Sequence, residues 1–285
     1  MASRSARSSL ERLQSSGQHR IEHHDREADL LRRIVLLGAS NLTVSFPRIL
    51  HALENAFDGP LEVFAALGHG RSFGLWSRLL HRELPGIVGC GLWEALLSRP
   101  GPATETLGLV TDVGNDLLYG ASPLQIADWV QTCLERMTAQ NADVVMTPLP
   151  MGSVEKLSSW RYYATRSLFF PRSRITWPDM LGRVHELNER LETLGQEQGV
   201  QLVGVQRDWY GFDPIHIRHT KLREAWQRIL SGWSSFPSET PTGQPSPATR
   251  LRLLRIQPQL RRIFGRQRIT GQPVLRHGGL SVWLY

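Results

Sequence analysis

Residues 34–41 read Ile-Val-Leu-Leu-Gly-Ala-Ser-Asn: four aliphatic residues in a row, two very small ones, then a polar pair. An unbroken apolar run this short, closed by glycine, is the pattern of a strand covered on both faces. Four more runs of the same kind follow: LEVFAALGHG (61–70), TLGLVTDVGND (106–116), ADVVMTPLP (142–150) and VQLVGVQRDW (200–209). Between them lie stretches of helical period. Ser122, Pro123 and Gln125 form a capping box with proline at the first helical position, and Ile126, Val130, Cys133 and Met137 then share a face. Pro178 opens another helix, in which Met180, Val184, Leu187, Leu191 and Leu194 recur every three or four residues until Gly199. A last helix carries Leu222, Ala225, Trp226, Ile229 and Leu230 on one side. Strands alternating with helices predict an α/β domain with a parallel sheet buried on both faces.

Residues 1–33 are rich in Ser, Arg and mixed charge, with His19, His23 and His24, and predict a mobile N-terminal arm. Residues 34–233 carry the α/β pattern. Residues 234–285 begin as a Pro/Ser/Thr-rich linker and continue as an Arg-rich C-terminal tail. The formal charge of the 285-residue chain is +7, and residues 232–285, with eight Arg and one acid, supply an excess of that size by themselves. The region 34–231 is near neutral, with no electrostatic footprint for a polyanion. Residues 250–269, RLRLLRIQPQLRRIFGRQRI, are the exception: they fit contact with an anionic surface or nucleic acid, a solvated tail, or a segment packed back on the domain. No apolar run approaches the roughly 20 residues of a bilayer span, and no secretory h-region is evident, so a cytoplasmic location is expected. Two cysteines exclude a disulfide scaffold. Residues 152–176 fit no regular element. They are aromatic-rich, carry Lys156, Arg161, Arg166, Arg172 and Arg174 against one acid, and predict a lid over an anionic or hydroxyl-rich ligand.

In an open parallel sheet, ligands bind beyond the carboxyl ends of the strands. Those ends carry Ser40 after the first run, Gly68-His69-Gly70 after the second, Gly114-Asn115-Asp116 after the third, and Asp213 and His216 after the fifth. A serine becomes a nucleophile at neutral pH when a base takes its proton, and the base needs a partner that fixes its tautomer. Asp213 and His216 supply partner and base within one turn of chain. The Asn115 carboxamide and the backbone N–H groups of Ser40 and Gly70 are candidate donors to an oxyanion.

These blocks, in this order, resemble those of the SGNH or GDSL-type hydrolases. Gly38-Ala39-Ser40-Asn41-Leu42 resembles the block of the nucleophile, and Gly70 stands like the block-two glycine, a place Gly68 or Gly74 could also take. Gly114-Asn115-Asp116 resembles the third block and Asp213-Pro214-Ile215-His216 the last. The resemblance covers residues 34–233. It implies a three-layer α/β/α sandwich with a five-stranded parallel sheet of flavodoxin-like order, and a serine esterase acting on a small-molecule acyl or acetyl ester; the anionic or carbohydrate character expected of that substrate comes from the basic residues of 152–176. Ser40, His216 and Asp213 would be nucleophile, base and orienter, with Ser40, Gly70 and Asn115 as the oxyanion hole. No metal or organic cofactor is implied. An acyltransferase using the same serine, or a non-catalytic ligand- or polyanion-binding protein, fits the same residues.

Competing readings are less economical. Ser40 could cap a helix beginning near Pro47, and Asn115 could serve an Asx turn. Asp213, His216 and His219 have the spacing of metal ligands, but no further cluster completes a site. A dinucleotide fold lacks its glycines after Gly38.

Overall fold

The computed structural model describes residues 31–99, 101, 103–169 and 173–285. All but the last three residues of the expected N-terminal arm lie outside the described residues, as does Arg172. The chain runs through β1 (Arg32–Leu37), α1 (Ser40–Ala56), β2 (Leu61–Ala66), β3 (Ser77–Leu79), β4 (Arg82–Leu84), α2 (Leu92–Leu97) and β5 (Glu105–Val110). It continues through α3 (Asn115–Leu118), α4 (Pro123–Thr138), β6 (Asp143–Met146), α5 (Met151–Val154), α6 (Ser159–Phe169), α7 (Trp177–Glu197) and β7 (Gln201–Leu202). Then follow α8 (Leu222–Leu230), α9 (Pro247–Leu253), β8 (Leu260–Ile263), β9 (Arg266–Ile269), β10 (Leu275–His277) and β11 (Leu280–Leu284).

The main sheet has the order β10-β11-β2-β1-β5-β6-β7. Its five members β2, β1, β5, β6 and β7 are the five predicted strands, all parallel and in the expected flavodoxin-like order. Alternation along β1 builds the three layers. Ile34 and Leu36 point into the cluster formed with α1 and α8, whereas Val35 and Leu37 point into the one formed with α4 and α7. All four are fully buried, which is why no polar residue interrupts the run.

Three expectations change. Most of the described residues within 152–176 are helical, in α5 and α6; their mixed aromatic and basic sequence lacks the apolar stripe that marks a helix on paper. The first helix starts at Ser40, with Pro47 inside it, so Ser40 is not a cap for a helix beginning near Pro47. Residues 234–285 are not a linker and a tail. Trp233 Nε1 donates to the Gly108 carbonyl (2.7 Å), Ser234 holds Asp143 (2.7 Å), and Arg48 holds the Thr242 carbonyl, tying this segment across the α1 and α8 layer. β11 then joins the sheet beside β2, in parallel, with β10 antiparallel outside it, so the sheet has seven strands rather than five. The segment 250–269 splits into α9, whose Leu253 is buried, and the β8–β9 hairpin, which completes a second, four-stranded sheet of order β3-β4-β8-β9.

Trp283 of β11 stacks on Phe64 of β2 with centroids 4.7 Å apart. The Tyr285 N–H donates to the Ala65 carbonyl (2.8 Å), and the Tyr285 main-chain oxygen accepts from Arg71. Arg71 is fully buried and also donates to the carbonyls of Leu67 (3.2 Å) and Pro85 (3.0 Å). Burial pushes its guanidinium down to about 10, so it stays cationic at neutral pH. A chain cut after Trp233 is therefore expected to lose the native fold, because the edge of β2 is bared and Arg71 loses an acceptor in the interior. Near-ultraviolet circular dichroism and a thermal melt check this; a truncated chain that keeps the full-length melting transition would show that the segment is an appendage after all.

Candidate active site

The turn from β1 into α1 carries Ser40. A helix start leaves its first N–H groups without intrahelical partners, and Ala39, at the capping position, has no side chain to accept from them. Asp112, just beyond β5, supplies the missing carboxylate: Oδ2 accepts from Ala39 N and Leu42 N (both 3.1 Å), and Oδ1 accepts from Asn41 Nδ2 (2.7 Å). Asp112 does this at φ +59°, in the left-handed region that aspartate tolerates better than most residues. The Ser40 N–H has no acceptor among the described residues and remains available in that first turn.

Asn41 reaches the loop after β7. Its Nδ2 donates to the Ile215 carbonyl (2.9 Å) and its Oδ1 accepts from Ile217 N (2.9 Å), so the amide grips the backbone on both sides of His216. In this setting His216 Nε2 lies 2.8 Å from Ser40 Oγ, and His216 Nδ1 lies 2.6 Å from Asp213 Oδ2. Asp213 Oδ1 accepts from the N–H groups of Ile215 (3.0 Å) and His216 (3.2 Å). The consistent proton arrangement has Nδ1–H donating to Asp213 and Nε2 accepting from the serine. The Asp213 hydrogen bond and charge raise the pKa of His216 against the opposing pull of burial. Burial works to raise Asp213, but the hydrogen bonds and charge of His216 and the two backbone donors together hold it below the usual carboxylate value.

Of the three candidate glycines, only Gly70 has a backbone that asks for one, at φ +65°. A Cβ at Gly68 would run into Leu84, and one at Gly74 would overlap the Trp129 ring, so those two glycines serve packing. Tyr119 Oη donates to the Gly70 carbonyl (2.8 Å), and Asn115 Nδ2 donates to the next carbonyl, Arg71 (3.4 Å). Asp116, the neighbour of Asn115, fastens the same loop from inside by accepting from Phe73 N (2.9 Å) and from the Ser72 hydroxyl. Burial pushes Asp116 up to about 6, against the lowering effect of those donors.

A cavity of about 140 Å³ opens beside Ser40 and Asn115. Its far wall is apolar, with Leu149, Val154, Leu157, Trp177, Met180 and Val184 from α5, α7 and their approaches. Arg166 also borders it, but its Nη1 donates to the Ile175 carbonyl (3.0 Å) and its guanidinium lies over Tyr163. The space near the serine thus suits an apolar group better than the anionic or hydroxyl-rich one expected from the basic residues of 152–176.

The structure brings Ser40, His216 and Asp213 into one hydrogen-bonded line, with Asn115 on the border of the same cavity. His219 is not part of it, and among the described residues no group of three metal-ligating side chains converges. Two residues escaped the sequence reading: Asp112 and the role of Asn41. The signal for the first was present, since an alanine at a helix start demands a capping group from elsewhere. No protein-family model and no curated protein matches the chain. Solved structures align with it distantly. A psychrotrophic esterase, EstA, from a Pseudoalteromonas species, inhibited by monoethylphosphonate, aligns at TM-score 0.42 and 12% identity, over 70% of this chain and 96% of its own. A lipolytic protein of the G-D-S-L family from Veillonella parvula aligns at TM-score 0.46 and 12% identity, over 70% and 97%. An acetyl xylan esterase, AlAXEase, aligns at TM-score 0.46 and 11% identity, over 70% and 98%. At such distance, what the site can do rests on its own residues.

Proposed function

We propose that the protein is a serine esterase that cleaves carboxylic esters through an acyl-Ser40 intermediate. The observation that carries this is the unbroken line Ser40–His216–Asp213, at 2.8 and 2.6 Å, opening onto an apolar cavity. Ser40 Oγ attacks the ester carbonyl carbon while His216 Nε2 takes its proton. The carbonyl oxygen becomes an oxyanion facing the Ser40 N–H, the Gly70 loop and Asn115 Nδ2. Collapse expels the alcohol with the proton returned from His216, leaving the acyl-serine. Water, deprotonated by the same imidazole, repeats the sequence and releases the acid. The apolar cavity favours an acyl chain on the side of α5 and α7.

The decisive experiment is labelling with a fluorophosphonate, which reports an activated serine independently of substrate. One equivalent is expected on Ser40, lost in Ser40→Ala, His216→Ala and heat-denatured protein; a folded chain that stays unlabelled would make this a binding protein. Asn115→Ala is expected to cut kcat on the order of 10²-fold to 10³-fold with folding intact, and a variant as fast as the parent would remove Asn115 from the oxyanion site. The pH profile has a definite sign. His216 works as a base only when neutral, and its pKa is raised by Asp213, so kcat/KM falls as pH drops through a value above that of free imidazole. Asp213→Asn removes the cause of the shift: the acidic limb should move to lower pH while the plateau falls by roughly 10³-fold to 10⁴-fold. An unmoved limb would exclude Asp213 as the partner of the base.

A further inference from the structure

The second sheet presents something the esterase chemistry does not use. Its two hairpins, β3–β4 and β8–β9, turn through two residues each, Leu80-His81 and Phe264-Gly265, and because Arg82 pairs with Ile263 both turns lie at the same end. The tips touch: Phe264 N donates to the His81 carbonyl (2.9 Å), and the His81 ring stacks on Phe264 at 4.9 Å. The first residue of each turn has positive φ, +55° at Leu80 and +50° at Phe264. Tight hairpin turns place Gly, Asn or Asp there, because a bulky side chain is strained in that region. Both side chains are nevertheless large and apolar, and they are 80% and 78% exposed. Folding alone gains from neither property, so a partner that receives the two side chains is the economical account.

The surroundings say what kind of partner. The strands of this sheet carry six arginines and one acid, Glu83. Arg266 and Arg268 are fully on the exposed strand, and Arg78 and Arg262 keep 59% and 41% of their side chains in solvent. A second copy of so basic a face would be repelled. Leu80 at one apex offers a nucleic acid no ring to stack on, and Phe264 at the other already stacks on His81. Apolar tips ringed by guanidinium groups match the boundary of an anionic bilayer, where phosphates meet the arginines and the tips enter the acyl region. A hairpin also brings its strand backbone already paired, which lowers the cost of entering that region. We propose that the tips of the β3–β4 and β8–β9 hairpins dock the protein on an anionic lipid surface. Leu80 and Phe264 enter the interface, and Arg78, Arg262, Arg266 and Arg268 face the lipid phosphates. The sheet abuts the strand-end loop of Gly70, since Arg82 lies against Gly68.

The test is co-sedimentation of the full chain with vesicles of phosphatidylcholine alone and of phosphatidylcholine containing a quarter of phosphatidylglycerol. Binding is expected to the anionic vesicles only and to weaken as salt is raised. Leu80→Asn and Phe264→Asn suit positive φ, so they should hold or raise the melting temperature, yet each should weaken vesicle binding on the order of tenfold. Arg266→Glu with Arg268→Glu should abolish it. Failure to sediment with anionic vesicles overturns the proposal, as does equal binding to neutral ones. Asparagine variants that bind like the parent, dimerisation that those variants abolish, or RNA that displaces the vesicles would overturn it as well.

Discussion

The Asp112 carboxylate holds the β1–α1 turn together, and the site depends on that turn. A helix that starts on Ser40 with alanine before it has donors to satisfy and nothing local to satisfy them. Asp112 takes two of those donors and the Asn41 amide, and Asn41 in turn grips the backbone on either side of His216. The serine's helix, the strand-end loop after β5 and the histidine loop are thereby locked in one network. The position of His216 relative to Ser40 is set by the contacts of the Asn41 amide with the backbone on either side of the histidine.

The sheet needs the end of the chain in the same sense. β2 is buried along its whole length, which a central strand sustains and an edge strand does not. β11 covers that edge, and the Arg71 guanidinium ties it to the loop of Gly70 through the Tyr285 main-chain oxygen. Closing the core and shaping the second strand-end loop are therefore one packing event.

Much of this was legible in the sequence where local pattern and burial agree. The apolar runs marked β1, β2, β5, β6 and β7, and the capping box at Ser122 marked the start of α4. α8 buries the same Leu222, Ala225, Trp226, Ile229 and Leu230 that its periodicity singled out. What escaped was non-local. β11 reads LSVWL and follows an Arg-rich stretch, so nothing nearby signals a partner more than two hundred residues back. α6 escaped for the opposite reason, since its aromatic and basic residues alternate without a stripe. At the site, residue types were visible at strand ends, but Asn41 was legible only as a departure from a motif. Its value comes from Ile215 and Ile217, which sequence does not bring near it.

Three aspartates of the site region show why residue type alone underdetermines chemistry. Asp116 is fully buried, and desolvation lifts it to about 6 in spite of the donors it accepts from. Its charge is penalised by burial and its oxygens are already taken by the Ser72 hydroxyl and the Phe73 N–H. It serves to pin Ser72 and Phe73. Asp112 spends both oxygens on a helix start and on Asn41. Asp213 keeps half of its side chain in solvent and takes two backbone donors besides His216, and these contacts hold it below the usual carboxylate value. The hydrogen bonds and charge of His216, with the two backbone donors, outweigh the burial that works against the Asp213 charge, whereas at Asp116 burial wins over its donors.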